Sequence, residues 1–337
     1  VAPGYIVIVR ADGTLVAAPF DQDRLALTGP ATPILEGVMT KPFGSVDIAI
    51  SGDGTLIYVP GGANPAGGVG EIAWVGRDGS ERSLDPPLAV NPSPNYGLAL
   101  SPDGTRLALD ILSQRSVDIW IKQLPSGPFS RLTFEGGVNM RPSWTADSKS
   151  ILYLSDRNGR TAVWRQRADG SSAAELVPTA TTRDVRQGAL SPDGQWLLYM
   201  VVGDSGRDVY AVRTGRDTTM VPILASRFNE YGQVLSPDGK WLAYTSDESG
   251  RQEVYVRPFP NTAEGRWQIS IGGGGAPRWA HSGKELFYQG GANEMMVVAV
   301  ATGPTLSVGQ PHKLFDPSNR LWPSNVVPYY DLSPDDK

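Results

Sequence analysis

The sequence predicts an all-β protein, a seven-bladed β-propeller of four-stranded antiparallel blades, and three observations carry that prediction. A Ser-Pro-Asp-Gly tetrapeptide, or a close variant, recurs along nearly the whole chain between short apolar or alternating runs. The copies stand roughly 44 to 53 residues apart, the period of a four-stranded unit rather than of a helical solenoid. Finally, the N-terminus offers three strands that lack an innermost one, and Tyr330 to Asp336 offers that innermost strand and its turn alone. Together they make one blade, and pairing them closes the ring and removes the exposed edge of an open stack. A six-bladed ring is the alternative, in which the terminal strands do not pair.

Taken in order, Tyr5 to Val9, Thr14 to Phe20 and Thr32 to Leu35 read as the first three strands, with Ala11-Asp12-Gly13 as a hairpin turn. Val46 to Ile50, the turn Ser51-Gly52-Asp53-Gly54, Thr55 to Val59, Glu71 to Val75 and Glu81 to Leu84 make the first complete unit. Leu98 to Leu100, Ser101-Pro102-Asp103-Gly104, Arg106 to Asp110, Val117 to Lys122 and Ser130 to Phe134 repeat the plan. Later turns fall at Thr145-Ala146-Asp147-Ser148, Ser191-Pro192-Asp193-Gly194, Ser236-Pro237-Asp238-Gly239, His281-Ser282-Gly283 and Ser333-Pro334-Asp335-Asp336. The chain is thus one domain over residues 1–337. Its first blade is shared by 5–36 and 328–337, and further blades lie at about 44–87, 95–137, 139–181, 183–226, 229–274 and 275–316.

The side-chain pattern fits blades packed face to face. A large residue precedes each turn (Leu100, Trp144, Leu190, Leu235, Trp279) and a small one often precedes that (Ala99, Ser143, Ala189), so alternation sends them to opposite faces. Trp74, Trp120, Trp164, Tyr210 and Tyr255 recur in the third strands as inter-blade core. Arg278 and Asp331 break the small position in neighbouring blades, and their matched register leaves two readings, a pair across the closure or two separately solvated groups near the channel.

Asp53, Asp103, Asp147, Asp193, Asp238 and Asp335 read as turn residues whose side chains accept backbone N–H groups, not as acids or metal ligands. With no cysteine and only His281 and His312, neither outside a turn or a connection, the sequence offers no thiolate site, zinc site or Ser-His-Asp arrangement, and no cofactor is expected. The glycine runs at 61–62, 67–68 and 272–275 lack the lysine and strand-to-helix setting of a phosphate loop. A net charge of −5 without a basic run excludes nucleic acid as the main partner, and no apolar stretch reaches the roughly 20 residues of a membrane span. The first residue is Val, which points to a processed or trimmed chain.

Binding is expected on the face where connections enter the innermost strands, because a ring gathers one loop per blade around its channel mouth. Tyr96, Arg141, Arg186, Tyr231 and Arg278 belong to that face, a mixture of aromatic and arginine side chains of the kind enriched in interface hot spots.

Leu235-Ser236-Pro237-Asp238-Gly239-Lys240-Trp241-Leu242-Ala243-Tyr244 resembles the TolB-type, WD40-like PD40 propeller repeat. Glu253 to Pro260, Arg266 to Ser270 and Pro277 to Tyr288 resemble more narrowly the propeller that follows the kinase and membrane segments of many bacterial serine/threonine protein kinases. The resemblance implies a periplasmic or otherwise extracytoplasmic module that binds proteins, peripheral to a membrane or tethered by a segment outside this sequence. Two functions stay open. One is a non-enzymatic sensor or accessory scaffold docking on a larger, membrane-associated complex. The other is a propeller hydrolase or lyase, or the gating propeller of a peptidase, with a site at the channel mouth.

Overall fold

The computed structural model describes residues 4–10, 14–36, 38, 48–50, 56–58, 70–90, 97–113, 116–203, 206–215, 219–303, 305–316 and 330–336. Asp53, Tyr96 and the glycines at 61–62 and 67–68 lie outside them. Among the described residues the strand pairings are antiparallel, with an isolated parallel bridge between Val117 and Val138, and one turn of 3-10 helix lies at Thr262–Glu264. Grouped by the sequence repeat, the strands make about seven units, the all-β propeller pattern.

The chain divides into two compact units, residues 1–70 with 89–94 and residues 71–88 with 95–337. The first holds a sheet in which Tyr5–Val9 pairs with Leu15–Asp21, which also pairs with Ala26–Leu27 and Thr32–Leu35. The second holds five complete sheets, here I (98–131), II (139–176), III (185–224), IV (230–268) and V (274–315). Each runs first to fourth strand in sequence order, and sheet V adds a fifth strand, His312–Phe315.

The recurring turn sets this plan. In sheet III the Gly194 N–H donates to Ser191 O at 2.8 Å, and Gly194 takes φ 68°, a left-handed value that costs glycine nothing. Asp193 Oδ1 accepts the Ser191 hydroxyl at 2.5 Å and the Gln195 N–H at 3.0 Å. Asp103, Asp147 and Asp238 make the same pair of bonds, and Asp335 accepts from Ser333. These hydroxyl and N–H donors hold the Asp193 and Asp147 carboxyls below their ordinary range.

Successive sheets meet through four apolar clusters, which is where the core sits. Ile119 and Ile121 of sheet I face Tyr153 and Trp164 of sheet II. Leu152 and Leu154 face Leu197 and Tyr199 across the next layer. Met200 and Leu198 face Tyr244 and Tyr255, and Trp241 and Val256 face Trp279 and Leu286. Of the aromatic third-strand positions, Trp164, Tyr210 and Tyr255 serve this packing, Trp164 being 7% and Tyr255 2% exposed, whereas Trp120 is half-buried and packs against Phe129 of its own sheet. The large pre-turn residue links the layers too: Trp144 Nε1 donates to Ala99 O at 2.9 Å, and Trp279 Nε1 to Val234 O at 3.3 Å.

The first strands are longer than their alternation shows. Asn139–Trp144, Glu230–Leu235 and Gly274–Trp279 each carry a register shift, with Arg141, Gly232 and Ala276 at φ 55°, 65° and 53°. An extra residue in the left-handed region is a β-bulge, and it twists the start of the strand away from simple in-out order.

The C-terminal residues 330–336 run as irregular backbone into their turn and join sheet V to sheet I. Tyr330 donates its hydroxyl to Ala276 O at 2.7 Å, and the Asp336 carboxylate accepts the N–H groups of His281 and Ser282 at 2.6 and 3.0 Å. On the other side Asp331 Oδ2 accepts the Leu100 N–H at 2.9 Å. Arg278 Nε stands 3.6 Å from Asp331 Oδ1, the cross-blade contact their register suggested.

Candidate functional site

In an antiparallel sheet of four strands, the start of the first strand, the hairpin between second and third, and the end of the fourth share one edge. Loops along this edge are the natural recognition surface, and we call it the connection edge. The opposite edge carries the Ser-Pro-Asp-Gly turns, whose carboxylates are consumed within their own turns.

A buried clamp holds the connection edge in place. In sheet I, Thr133 Oγ1 accepts the Ile119 N–H at 2.9 Å and donates to Asp118 Oδ1 at 3.1 Å. Asp118, its side chain 2% exposed, also accepts from Ser116 at 2.6 Å and Asn139 Nδ2 at 3.3 Å and pairs with Arg131 at 2.8 Å. Sheet IV repeats this: Ser270 Oγ accepts the Val254 N–H at 2.8 Å and donates to Glu253, which takes the Gly272 and Gly273 N–H groups at 3.1 and 2.9 Å. The hairpin acids Asp156 and Asp247 do a related job, Asp156 accepting the Gly137 and Val138 N–H groups and Asp247 that of Asn229. The Asp-rich hairpins are therefore backbone caps; among the described residues no group of three or more His, Asp or Glu side chains could hold a metal ion.

The residues expected on this edge are placed unequally. Arg141 turns its guanidinium to the Arg186 carbonyl of the next sheet, and its N–H donates to Asp110 Oδ2 at 3.0 Å. Arg186 is exposed, with Asp184 3.7 Å away. At that distance and nearly half exposed, the pair contributes little. Arg278 is partly covered beside Asp331. Tyr231 departs from the expected rim position: it is 1% exposed, packed with Tyr244 and Tyr255, and Arg207 lies over its ring at 5.1 Å. The bulge at Gly232 explains this, because Tyr231 pairs with Thr245 and faces the layer between sheets. Burial pushes its hydroxyl up to about 12.

Other side chains on this edge escape the sequence reading. Arg183, Arg227 and Arg251 are exposed there, and Phe134 and Ile271 stand 71% and 88% exposed just after the Thr133 and Ser270 clamps. Glu230, at the start of its strand, is 4% exposed and accepts the Ser226 hydroxyl at 2.6 Å. Burial raises its carboxyl to about 7, against the lowering effect of the Ser226 bonds.

Comparisons with known proteins place this fold. The TolB beta propeller domain family matches residues 88–200. A protein of unknown role from Agrobacterium fabrum is 33% identical over 95 residues, 28% of this chain and 32% of its own length. The Tol-Pal system protein TolB of Wolinella succinogenes is 28% identical over 100 residues, 30% of this chain and 23% of that protein. The matched stretch thus spans a third or less of these relatives. Among solved structures, TolB from Acinetobacter baumannii superposes with TM-score 0.52 at 17% identity, covering 92% of this chain and 82% of that one. The chain is a TolB-like β-propeller in its repeat and fold.

Proposed function

We propose that this chain is a non-enzymatic protein-binding module, an accessory or sensor scaffold that docks on a larger extracytoplasmic, membrane-associated assembly through its connection edge. The observation that carries the reading is the contrast between the two edges. The turn edge spends its carboxylates on its own backbone, whereas the connection edge presents Arg183, Arg186, Arg227 and Arg251 on a framework fixed by buried clamps. Exposed arginines on rigid loops suit an acidic protein surface, because charge complementarity steers encounter and the guanidinium fork grips carboxylates. The likeness to a Tol-Pal system protein supports an extracytoplasmic setting. The narrower likeness to kinase-linked propellers adds a sensor role to the same proposal.

Affinity capture from the membranes of the source organism tests this, comparing the native chain with the Arg186→Glu/Arg227→Glu double variant. A stoichiometric protein partner is expected with the native chain, reduced about tenfold or more by the two reversals. Equal recovery with both, or no stoichiometric partner at all, overturns the proposal.

A further inference from the structure

Between the hairpins and connection of sheets IV and V lies a cleft of about 330 Å³, lined by Arg251, Gln252, Gln289, Asn293 and the glycines at 272–274 and 290–291. We propose that it is a carboxylate-binding subsite for an extended acidic segment of a protein partner. The inference rests on the protein-binding reading and specifies where and how one contact is made.

The cleft owes its character to a substitution within the repeat. The pairs Asn139↔Ser155, Glu230↔Ser246 and Gly274↔Gly290 occupy equivalent places in sheets II, IV and V. The next residue is Asp156 in the first case and Asp247 in the second, each a carboxylate over the incoming connection. In sheet V it is Gly291, packed so tightly that an added Cβ would stand 2.4 Å from Gly272 O. No acid fits there. The connection's N–H groups go instead to Glu253 of the preceding sheet, whose buried carboxylate is also bonded by Ser270.

Three consequences favour a carboxylate ligand. Arg251 is the one charged residue lining the cleft, and glycine stands where sheets II and IV place the acid that caps the connection, the other hairpin carboxylate, Glu294, lying beside Gly290. Arg251 Nε approaches Glu253 at 3.2 Å, yet three neutral donors already serve that carboxylate, and the Arg251 side chain is 63% exposed and ready to face a second acid. The glycine floor lets a ligand backbone come close, with amide groups of Gln252, Gln289 and Asn293 around it. Ile271, 88% exposed beside Gly272, offers an apolar contact for a neighbouring ligand side chain. A volume of about 330 Å³ suits one or two residues of an extended peptide.

The test is an amide-NMR titration of the whole chain with N-acetyl-Gly-Leu-Glu-amide, its neutral Gln counterpart, and sodium acetate. The Glu peptide is expected to shift the Gly272, Gly273 and Gly291 amides saturably, and to bind on the order of fivefold more tightly than the Gln peptide. Arg251→Gln should erase that preference, and Arg251→Lys should retain part of it, with the remaining amide spectrum unchanged in both. Equal affinity for the Glu and Gln peptides, or a preference that survives Arg251→Gln, overturns the subsite. Acetate binding as tightly as the Glu peptide overturns the peptide assignment. If the subsite fails while membrane capture still yields a partner sensitive to Arg186 and Arg227, the broader reading stands without it.

Discussion

Asp118→Ala is expected to lower the unfolding free energy by about 3 kcal/mol, read as a drop in the urea midpoint. The carboxylate is almost wholly covered and gathers donors from Ser116, Thr133, Asn139 and Arg131, so its removal strands several polar groups at once. Losing one partner from a buried pair typically costs about 3 to 5 kcal/mol, and the partly exposed Arg131 can recover solvent, which places this site at the low end. Asp118→Asn keeps an acceptor for Thr133 but loses the ion pair, so a cost of about 1 to 2 kcal/mol is expected. An alanine cost below about 1 kcal/mol would show that the clamp does not hold the connection.

Glu230 gives the second large effect, and its sign is opposite to that of the turn aspartates. Its folded carboxyl titrates near 7 rather than at the ordinary 4.5. Between those values the unfolded chain has released the proton that the folded chain retains, so stability falls as pH rises through the window and is flat above it. About 3 to 4 kcal/mol is lost across the window from 4.5 to about 7, at 1.36 kcal/mol per unit. The turn aspartates act lower: Asp103, held at about 2 by its hydroxyl and N–H partners against the cost of burial, contributes stability that is lost as pH falls below about 4. Subtracting the profile of Glu230→Gln from that of the native chain isolates the Glu230 contribution. Parallel profiles between pH 4.5 and 7 would contradict the assignment.

What the sequence makes legible follows the range of the interactions. The Ser-Pro-Asp-Gly turn is local: hydroxyl, carboxylate and left-handed glycine lie within four residues, so turn, flanking strands and third-strand aromatics can be read directly. The bulges are hidden because Arg141, Gly232 and Ala276 interrupt alternation without a shared residue type. That is why Tyr231 is expected on a rim and found in the core. The clamps are hidden differently, since Asp118 and Thr133 are 15 residues apart and Glu253 and Ser270 are 17. A signal does exist: Asp118, Asp208 and Glu253 each stand two residues before a third-strand aromatic, and a polar residue there in a buried strand calls for a partner. Of the candidate edge, Arg141, Arg186 and Arg278 were legible because they sit just before recognisable turns. Arg227 and Arg251 fall in connections that carry no repeat signal.

Photo-crosslinking in the living source organism distinguishes partners that meet the connection edge from partners that meet the turn edge. A photoreactive residue is placed at exposed positions of the connection edge, Arg186 and Ile271, and of the turn edge, Asp238 and Lys240. Discrete crosslinks to one protein from Arg186 and Ile271, and none from Asp238 and Lys240, are predicted. Crosslinks confined to Asp238 and Lys240 would place the partner on the turn edge instead.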